Sequence, residues 1–228
     1  MTTSRPPIRR ALSSALLALA LGGCANSSPV DGRALNGVTT IRDLFTSAFI
    51  VPTDDGVVLV DAGFRAGVVL SALEGAGFGP EDVTDVLLTH GHGDHTAAVP
   101  DLPDATVRAL PEEASVLEEE GGPSIAEPLA PGELVLGGVT FEVFPTSGHT
   151  PGNAMFLVDR VLLMGDSAIA NKDGTLAETA PRYSDDPDAL VSSVRAVAAT
   201  LAERDDPLDF LAPSHSDALT GIEPLLEF

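Results

Sequence analysis

Residues 86–96 read VLLTHGHGDHT. The apolar run Val86-Leu87-Leu88 reads as a buried strand. Just past its end, positions 90–95 hold three histidines and an aspartate, in a 228-residue chain that has only 5 histidines. Loops at a strand's end are held by a rigid sheet, which is where side chains with chemistry to perform are commonly carried. His90, His92 and Asp94 are separated by Gly91 and Gly93. Without a Cβ at those two positions the backbone can take a tight path that aims alternate side chains inward, while His95 points elsewhere. A divalent ion accepts neutral imidazole and carboxylate where no thiolate is on offer. The arrangement suits two ions side by side, one served by His90 and His92, the other by Asp94 and His95.

Outward from this motif, LFTSAFIV (44–51) and GVVLVDAG (56–63) read as paired strands, and RAGVVLSALEGAG (65–77) as a helix closed by glycine. DVLLT (85–89) is the strand that delivers the histidines, completing a β-β-α-β order. Beyond it come a short strand TVRAL (106–110), a helix from Pro111 to Glu120 with proline at a first helical position, and a Gly/Pro-rich loop through Pro131. GELVLGGVTFEVFPT (132–146) reads as a hairpin about Gly137-Gly138, and AMFLVDRVLLMGD (154–166) as a second about Asp159-Arg160. A helix from Pro187 to Arg204 and a strand LDFLAP (208–213) follow. Two β-rich runs, each followed by helices, predict two packed sheets with helices outside.

The other two histidines are His149 in PTSGHTPGN (145–153) and His215 in APSHSDA (212–218), both in turn-rich loops after predicted strands. Asp166 ends the apolar strand VLLMGD, where its two oxygens could reach both ions. THGHGDH, SGHTPGN, MGD and PSHS, in this order, resemble the motifs of the metallo-β-lactamase superfamily of binuclear metallohydrolases, over most of residues 38–216. The resemblance implies an α/β fold, an αββα four-layer sandwich with metals at one edge of the two sheets. Motif by motif, it implies that His90, His92 and His149 hold the first metal, that Asp94, His95 and His215 hold the second, and that Asp166 bridges them. Asp61 in VLVDAG matches a recurrent family aspartate near the metal loops, and is read either as support for the ligands or as a strand-end turn. Ser147, Ser167 and Ser214 read as loop residues that satisfy backbone groups.

Two ions can share a water, lower its pKa toward neutrality and hold the hydroxide against a bound electrophile, with Asp94 placed to assist proton transfer. The expected reaction is hydrolysis of an activated acyl bond in a lactone, thioester or ester. A β-lactamase or phosphodiesterase of the same fold is the alternative, and a lipid-anchored, metal-stabilised binding protein is the non-enzymatic one. Structural zinc sites close four ligands around one ion, whereas this set leaves open positions at a mouth, which ranks the enzyme ahead. Within the resemblance, Asp166 stands where β-lactamases of the cysteine-ligand type need Cys, which leans toward the thioesterase, lactonase and esterase branches. Flavodiiron relatives place Glu at the position of His92, which argues against redox work. Only 13 residues follow His215, whereas glyoxalase II-like relatives carry a helical extension for glutathione, so a glutathione substrate is not expected. Zinc is the first expectation for the two ions, and five His with two Asp also accept iron or manganese. Arg182 and Tyr183, the latter the sole tyrosine, are candidate substrate contacts or else residues of an ordinary loop. The mouth is expected to be lined by the loops after residues 49, 61 and 110 to 131, whose apolar and acidic content suits a neutral or cationic small molecule.

The chain carries 34 Asp and Glu against 12 Lys and Arg, a formal charge of −22, and such a field repels nucleic acid and anionic headgroups. With 44% hydrophobic residues it reads as one folded domain. At the start, Arg5, Arg9 and Arg10 precede an apolar run from Ala11 to Leu21, the layout of a secretory signal peptide and too short for a mature spanning helix. Leu21-Gly22-Gly23-Cys24 looks like a bacterial lipobox, with Cys24, the only cysteine, as the lipidated residue. The expected organisation is a signal peptide (1–23), a lipidated tether (24–36) and a catalytic domain (37–228). The protein would be exported and would touch the bacterial envelope membrane only through its anchor.

Overall fold

The computed structural model describes residues 26–228. The predicted signal peptide and Cys24 lie outside the described residues. The first sheet runs β1(Ala34–Leu35), β2(Val38–Asp43), β3(Thr46–Thr53), β4(Gly56–Val60), β5(Val83–Leu87), β6(Thr106–Ala109) and β7(Glu127–Pro128). It is antiparallel up to β4 and parallel from there on. The helix α1(Ala66–Ala76) makes the crossover from β4 to β5, and the short helices α2(Gly93–Thr96) and α3(Ala114–Glu120) follow β5 and β6. The second sheet places β8(Gly132–Leu136), β9(Val139–Pro145), β10(Ala154–Val158) and β11(Val161–Gly165) side by side. A small hairpin, β12(Ile169–Ala170) with β13(Leu176–Ala177), stands apart, and α4(Pro187–Ala202) crosses over to β14(Phe210–Pro213), parallel to β11. Then β15(Leu219–Thr220) pairs with β14, and α5(Glu223–Leu226) follows.

Strand alternation sorts the apolar residues into three layers. In β3, Phe49 and Val51 face the second sheet and pack with Val58, Val60, Phe141, Val143 and Phe156. Their neighbours Ala48 and Ile50 face the other way, into a layer with Leu59, Val69 and Leu73 under α1. On the far side, Phe144, Met155, Leu162 and Met164 pack against Leu190, Val194, Val197 and Leu201 of α4. The result is the αββα four-layer sandwich expected from the sequence. Both faces of both sheets are covered, which is why the central strands read as nearly unbroken apolar runs.

Local chemistry sets the helix ends. Gly77 adopts φ 90 after α1, and the amides of Gly77 and Phe78 close on the carbonyls of Glu74 and Leu73 at 3.0 Å each. Asp186 accepts the Ala189 amide at 3.0 Å just ahead of Pro187, capping α4. Both predicted hairpins close on two-residue turns with positive φ at each position, 48 and 80 at Gly137-Gly138 and 47 and 62 at Asp159-Arg160.

The tether reading is corrected for residues 26–36, which belong to the fold. Leu35 is fully buried between the sheets, and β1 pairs with β2 across Asn36-Gly37, a residue pair that two-residue hairpins favour. Asn26 bridges to Asn171, the Ser27 hydroxyl donates to the Ala170 carbonyl at 3.0 Å, and Arg33 pairs with Asp217 at 2.6 Å. The polar, turn-rich composition that suggested a leash belongs to a short edge segment held by the buried Pro29 and Leu35 and by long-range polar contacts.

Strand direction positions the functional loops. β4 and β5 are parallel, and in the second sheet β9, β11 and β14 share one direction because β10 is antiparallel to both β9 and β11. Asp61, His90, His149, Asp166 and His215 all lie just past the carboxyl ends of these strands, the place where α/β sheets gather ligands.

Candidate metal centre

All seven predicted ligands meet there. His149 Nε2 lies 3.2 Å from His90 Nε2 and 3.1 Å from His92 Nδ1. Asp94 Oδ2 is 3.5 Å from the Nε2 atoms of both His95 and His215. Asp166 stands between these two triads. Its Oδ2 is 2.9 Å from His215 Nε2 and 3.4 Å from His149 Nε2, and its Oδ1 is 3.3 Å from His95 Nε2. The single turn of α2 carries Asp94 and His95, with His92 extended at its start, so one short helix feeds both triads.

The charge balance differs between the triads. Burial, reinforced by His95 and His149, pushes His90 well below its ordinary pKa, and burial likewise takes His149 down to about 3. These imidazoles are neutral, with nitrogens converging on one point. Around the second triad, burial alone would lower both histidines, but Asp166 carries His215 up to about 9, and Asp61, Asp94 and Asp166 hold His95 well above its ordinary value. Burial would raise Asp166, yet His215 and His95 keep it well below the usual carboxylate range. Three carboxylates around two imidazoles demand positive charge, from protons or from a cation. His95 Nε2 and Asp166 Oδ1 are buried with no hydrogen-bond partner among the described residues, a condition folded proteins rarely leave uncorrected. The residues therefore fit two divalent ions, one at His90, His92 and His149, the other at Asp94, His95 and His215, with Asp166 in reach of both.

Behind the ligands stands a polar framework. Asp61, fully buried at φ 59, accepts the Thr89 amide at 2.8 Å, the Thr89 hydroxyl, and His95 Nδ1 at 2.8 Å. That bond turns His95 Nε2 toward Asp94 and Asp166. Thr89 Oγ1 is also 3.0 Å from His90 Nδ1, so the same carboxylate steadies a ligand of each triad. His215 Nδ1 donates to the Phe45 carbonyl at 2.9 Å, and its ring stacks on that of Phe45. Gly165 lets β11 approach this framework: at φ 54, a Cβ there would lie 2.7 Å from the Thr89 side chain. The Ser167 hydroxyl accepts from the Asn153 side-chain amide at 2.9 Å instead of satisfying a backbone group, and the buried Ser214 hydroxyl has no hydrogen-bond partner among the described residues, so the loop role expected of these serines is not the one they play.

Glu113 was not foreseen. It sits among exposed acidic residues, yet its carboxylate is buried and bonds Gly91, Thr150 and Gly152. Burial pushes its pKa above the ordinary value, against the pull of those three donors. No local pattern marks it, because its partners lie 22 to 39 residues away. Arg182 is exposed with its guanidinium 4.5 Å from the centroid of the Tyr183 ring. Neither has a hydrogen bond to the ligands, but their segment is fastened at both ends to ligand loops. Thr179 donates to the Asp166 carbonyl at 2.6 Å, and the amides of Asp185 and Asp186 donate to the carbonyls of His149 and Gly148.

A four-layer α/β sandwich with a seven-residue His/Asp centre at the sheet edge has the layout of a metallohydrolase. Residues 41–215 match the model of the metallo-beta-lactamase superfamily, and the chain belongs to that superfamily. Hydroxyacylglutathione hydrolase of Xanthomonas oryzae pv. oryzae is 35% identical over 138 residues, covering 60% of this chain and 51% of that protein. Atrochrysone carboxyl ACP thioesterase of Aspergillus fumigatus is 32% identical over 138 residues, covering 54% of this chain and 31% of that one. The matched region thus spans about half or less of these curated relatives. Among solved structures, a metallo-beta-lactamase from Pontibacter korlensis has a TM-score of 0.67 at 18% identity, over 83% of this chain and 92% of that one. A metallo-beta-lactamase from Erythrobacter litoralis has 0.64 at 20% identity, over 86% and 93%. These structural likenesses concern the fold.

Proposed function

We propose that this protein is a metal-dependent hydrolase of activated acyl bonds, with thioesters as the first substrate class and lactones and esters after them. The observation that carries this reading is the pair of ligand triads on either side of Asp166 at the carboxyl ends of the strands. The names of the relatives, a hydroxyacylglutathione hydrolase and an acyl-carrier-protein thioesterase, favour the thioester. Two divalent ions, zinc first among them, supply Lewis acidity and a water acidic enough to deprotonate near neutral pH. The protein's own residues do the rest. Asp94 Oδ2, 3.5 Å from two imidazole nitrogens, would help hold the second ion and is placed to move a proton to the departing group. Asp61 and Phe45 lock the orientation of His95 and His215, and the exposed Arg182, on the segment fastened to the His149 loop through Asp185 and Asp186, is the candidate contact for a small-molecule substrate.

The protein is further proposed to be exported and lipidated at Cys24, anchored to the bacterial envelope. Labelled fatty acid incorporated by the wild type and lost in Cys24→Ser tests the anchor. The activity is tested on protein lacking residues 1–24, by metal content and by turnover of a thioester, a lactone, nitrocefin and a phosphodiester. Near two metals per chain, with thioester hydrolysis abolished in Asp94→Ala, is the expected result. Absence of stoichiometric metal overturns the reading, and two metals with no turnover moves the assignment to the metal-stabilised binding protein.

A further inference from the structure

We infer that Glu113 is a positioning residue for the first ion: a buried carboxylate that clamps the two loops whose meeting creates the His90, His92 and His149 triad. The inference rests on the metal reading above and is tested on metal affinity, not on turnover. Glu113 is 0% exposed, whereas Glu112, Glu118, Glu119 and Glu120 around it are exposed. Oε1 accepts the Gly91 amide at 2.7 Å, and Oε2 accepts the Gly152 amide and the Thr150 hydroxyl, both at 2.8 Å. Gly91 lies between His90 and His92, and Thr150 follows His149. One carboxylate therefore binds each loop next to its ligands, without a hydrogen bond to any imidazole.

The fit is close on both sides. A Cβ on Gly152 would lie 2.4 Å from the Glu113 nitrogen, and one on Gly91 would lie 3.1 Å from Glu113 Oε1. Both loops thus press their backbones onto this residue, and glycine is what lets them. A buried charge persists when charge-assisted hydrogen bonds satisfy its oxygens, as three do here. The ligands of the second triad are held by contacts that do not involve Glu113: His95 by Asp61, His215 by Phe45, and Asp94 by its place in α2. A purely structural glutamate would loosen both ions equally when replaced. A clamp on the two loops loosens the first ion alone.

Glu113→Gln keeps the volume but has only one accepting oxygen, so at least one of the three donors meets an NH2 group. The test uses metal-free protein titrated with Co(II), in two backgrounds that each leave one triad intact. In His215→Ala, where the first triad remains, Glu113→Gln is expected to weaken Co(II) binding about 10- to 100-fold. In His149→Ala, where the second remains, affinity is expected to stay at its value without the Gln substitution. Thr150→Val removes one donor with little change in shape and is expected to weaken the first ion alone, by less. It also serves if Glu113→Gln does not fold. Equal losses in both backgrounds, or no loss in His215→Ala, overturns the clamp. If His215→Ala with Glu113 intact binds no Co(II), the metal reading falls and this inference with it.

Discussion

Asp61→Asn separates hydrogen-bond chemistry from shape. Asp61 sits at φ 59, a left-handed conformation that Asn also tolerates, so the backbone has no reason to move. Oδ1 accepts the Thr89 amide at 2.8 Å and Oδ2 accepts His95 Nδ1 at 2.8 Å. With an oxygen retained for Thr89, the new amide nitrogen faces His95 Nδ1, and two donors then oppose each other. Either that bond is lost, or the imidazole changes tautomer and carries its proton on Nε2, where the second ion needs a lone pair. An unsatisfied buried group costs about 1–3 kcal/mol. At about 1.4 kcal/mol per tenfold, that is about 5- to 150-fold weaker binding of the second ion. The assay is titration of metal-free protein with zinc against a chromophoric chelator, with circular dichroism confirming the native fold. Two ions bound by Asp61→Asn at wild-type affinity would refute the assignment of Asp61 as the orienting partner of His95.

Removing metal should be visible in stability. At free metal about 1,000 times Kd each ion contributes about 4.1 kcal/mol, and at about 2–4 °C per kcal/mol a chelator should lower the melting temperature by about 8–16 °C per ion. A melting curve unmoved by EDTA would show that neither triad holds metal in solution. Deleting residues 26–36 exposes the surface that covers Leu35 and removes the Arg33–Asp217 pair, for a loss of about 2–4 kcal/mol in urea unfolding. A tether would leave the unfolding midpoint where it was, and that outcome would contradict the docked arrangement.

Much of the fold was legible because burial on both faces leaves a plain mark. Val57 to Val60 and Val161 to Met164 are fully buried and read as uninterrupted apolar strands, and Gly137-Gly138 announces its turn. The edge of the first sheet was harder. Ala34-Leu35 contributes a single buried side chain, too little for any periodicity to register, and the polar residues before it find partners as far as 190 positions away. Asp61 was placed near the ligands by its motif, while its bond to His95 became visible only when β4 and β5 lay side by side.

The candidate ligands were legible in composition and order, because imidazole and carboxylate are the donors available and strand ends are where sheets display them. Nothing local says which residues hold those donors in place. Glu113 lies in an acidic helical stretch indistinguishable from a solvated surface, and its meaning depends on two glycines brought to it by separate sheets. The sharing of Asp166 between neutral imidazoles and carboxylate-paired ones likewise depends on distances of about 3 Å between loops far apart in the chain. Such distances come from the packing of two sheets against each other, and a linear pattern has no term for them.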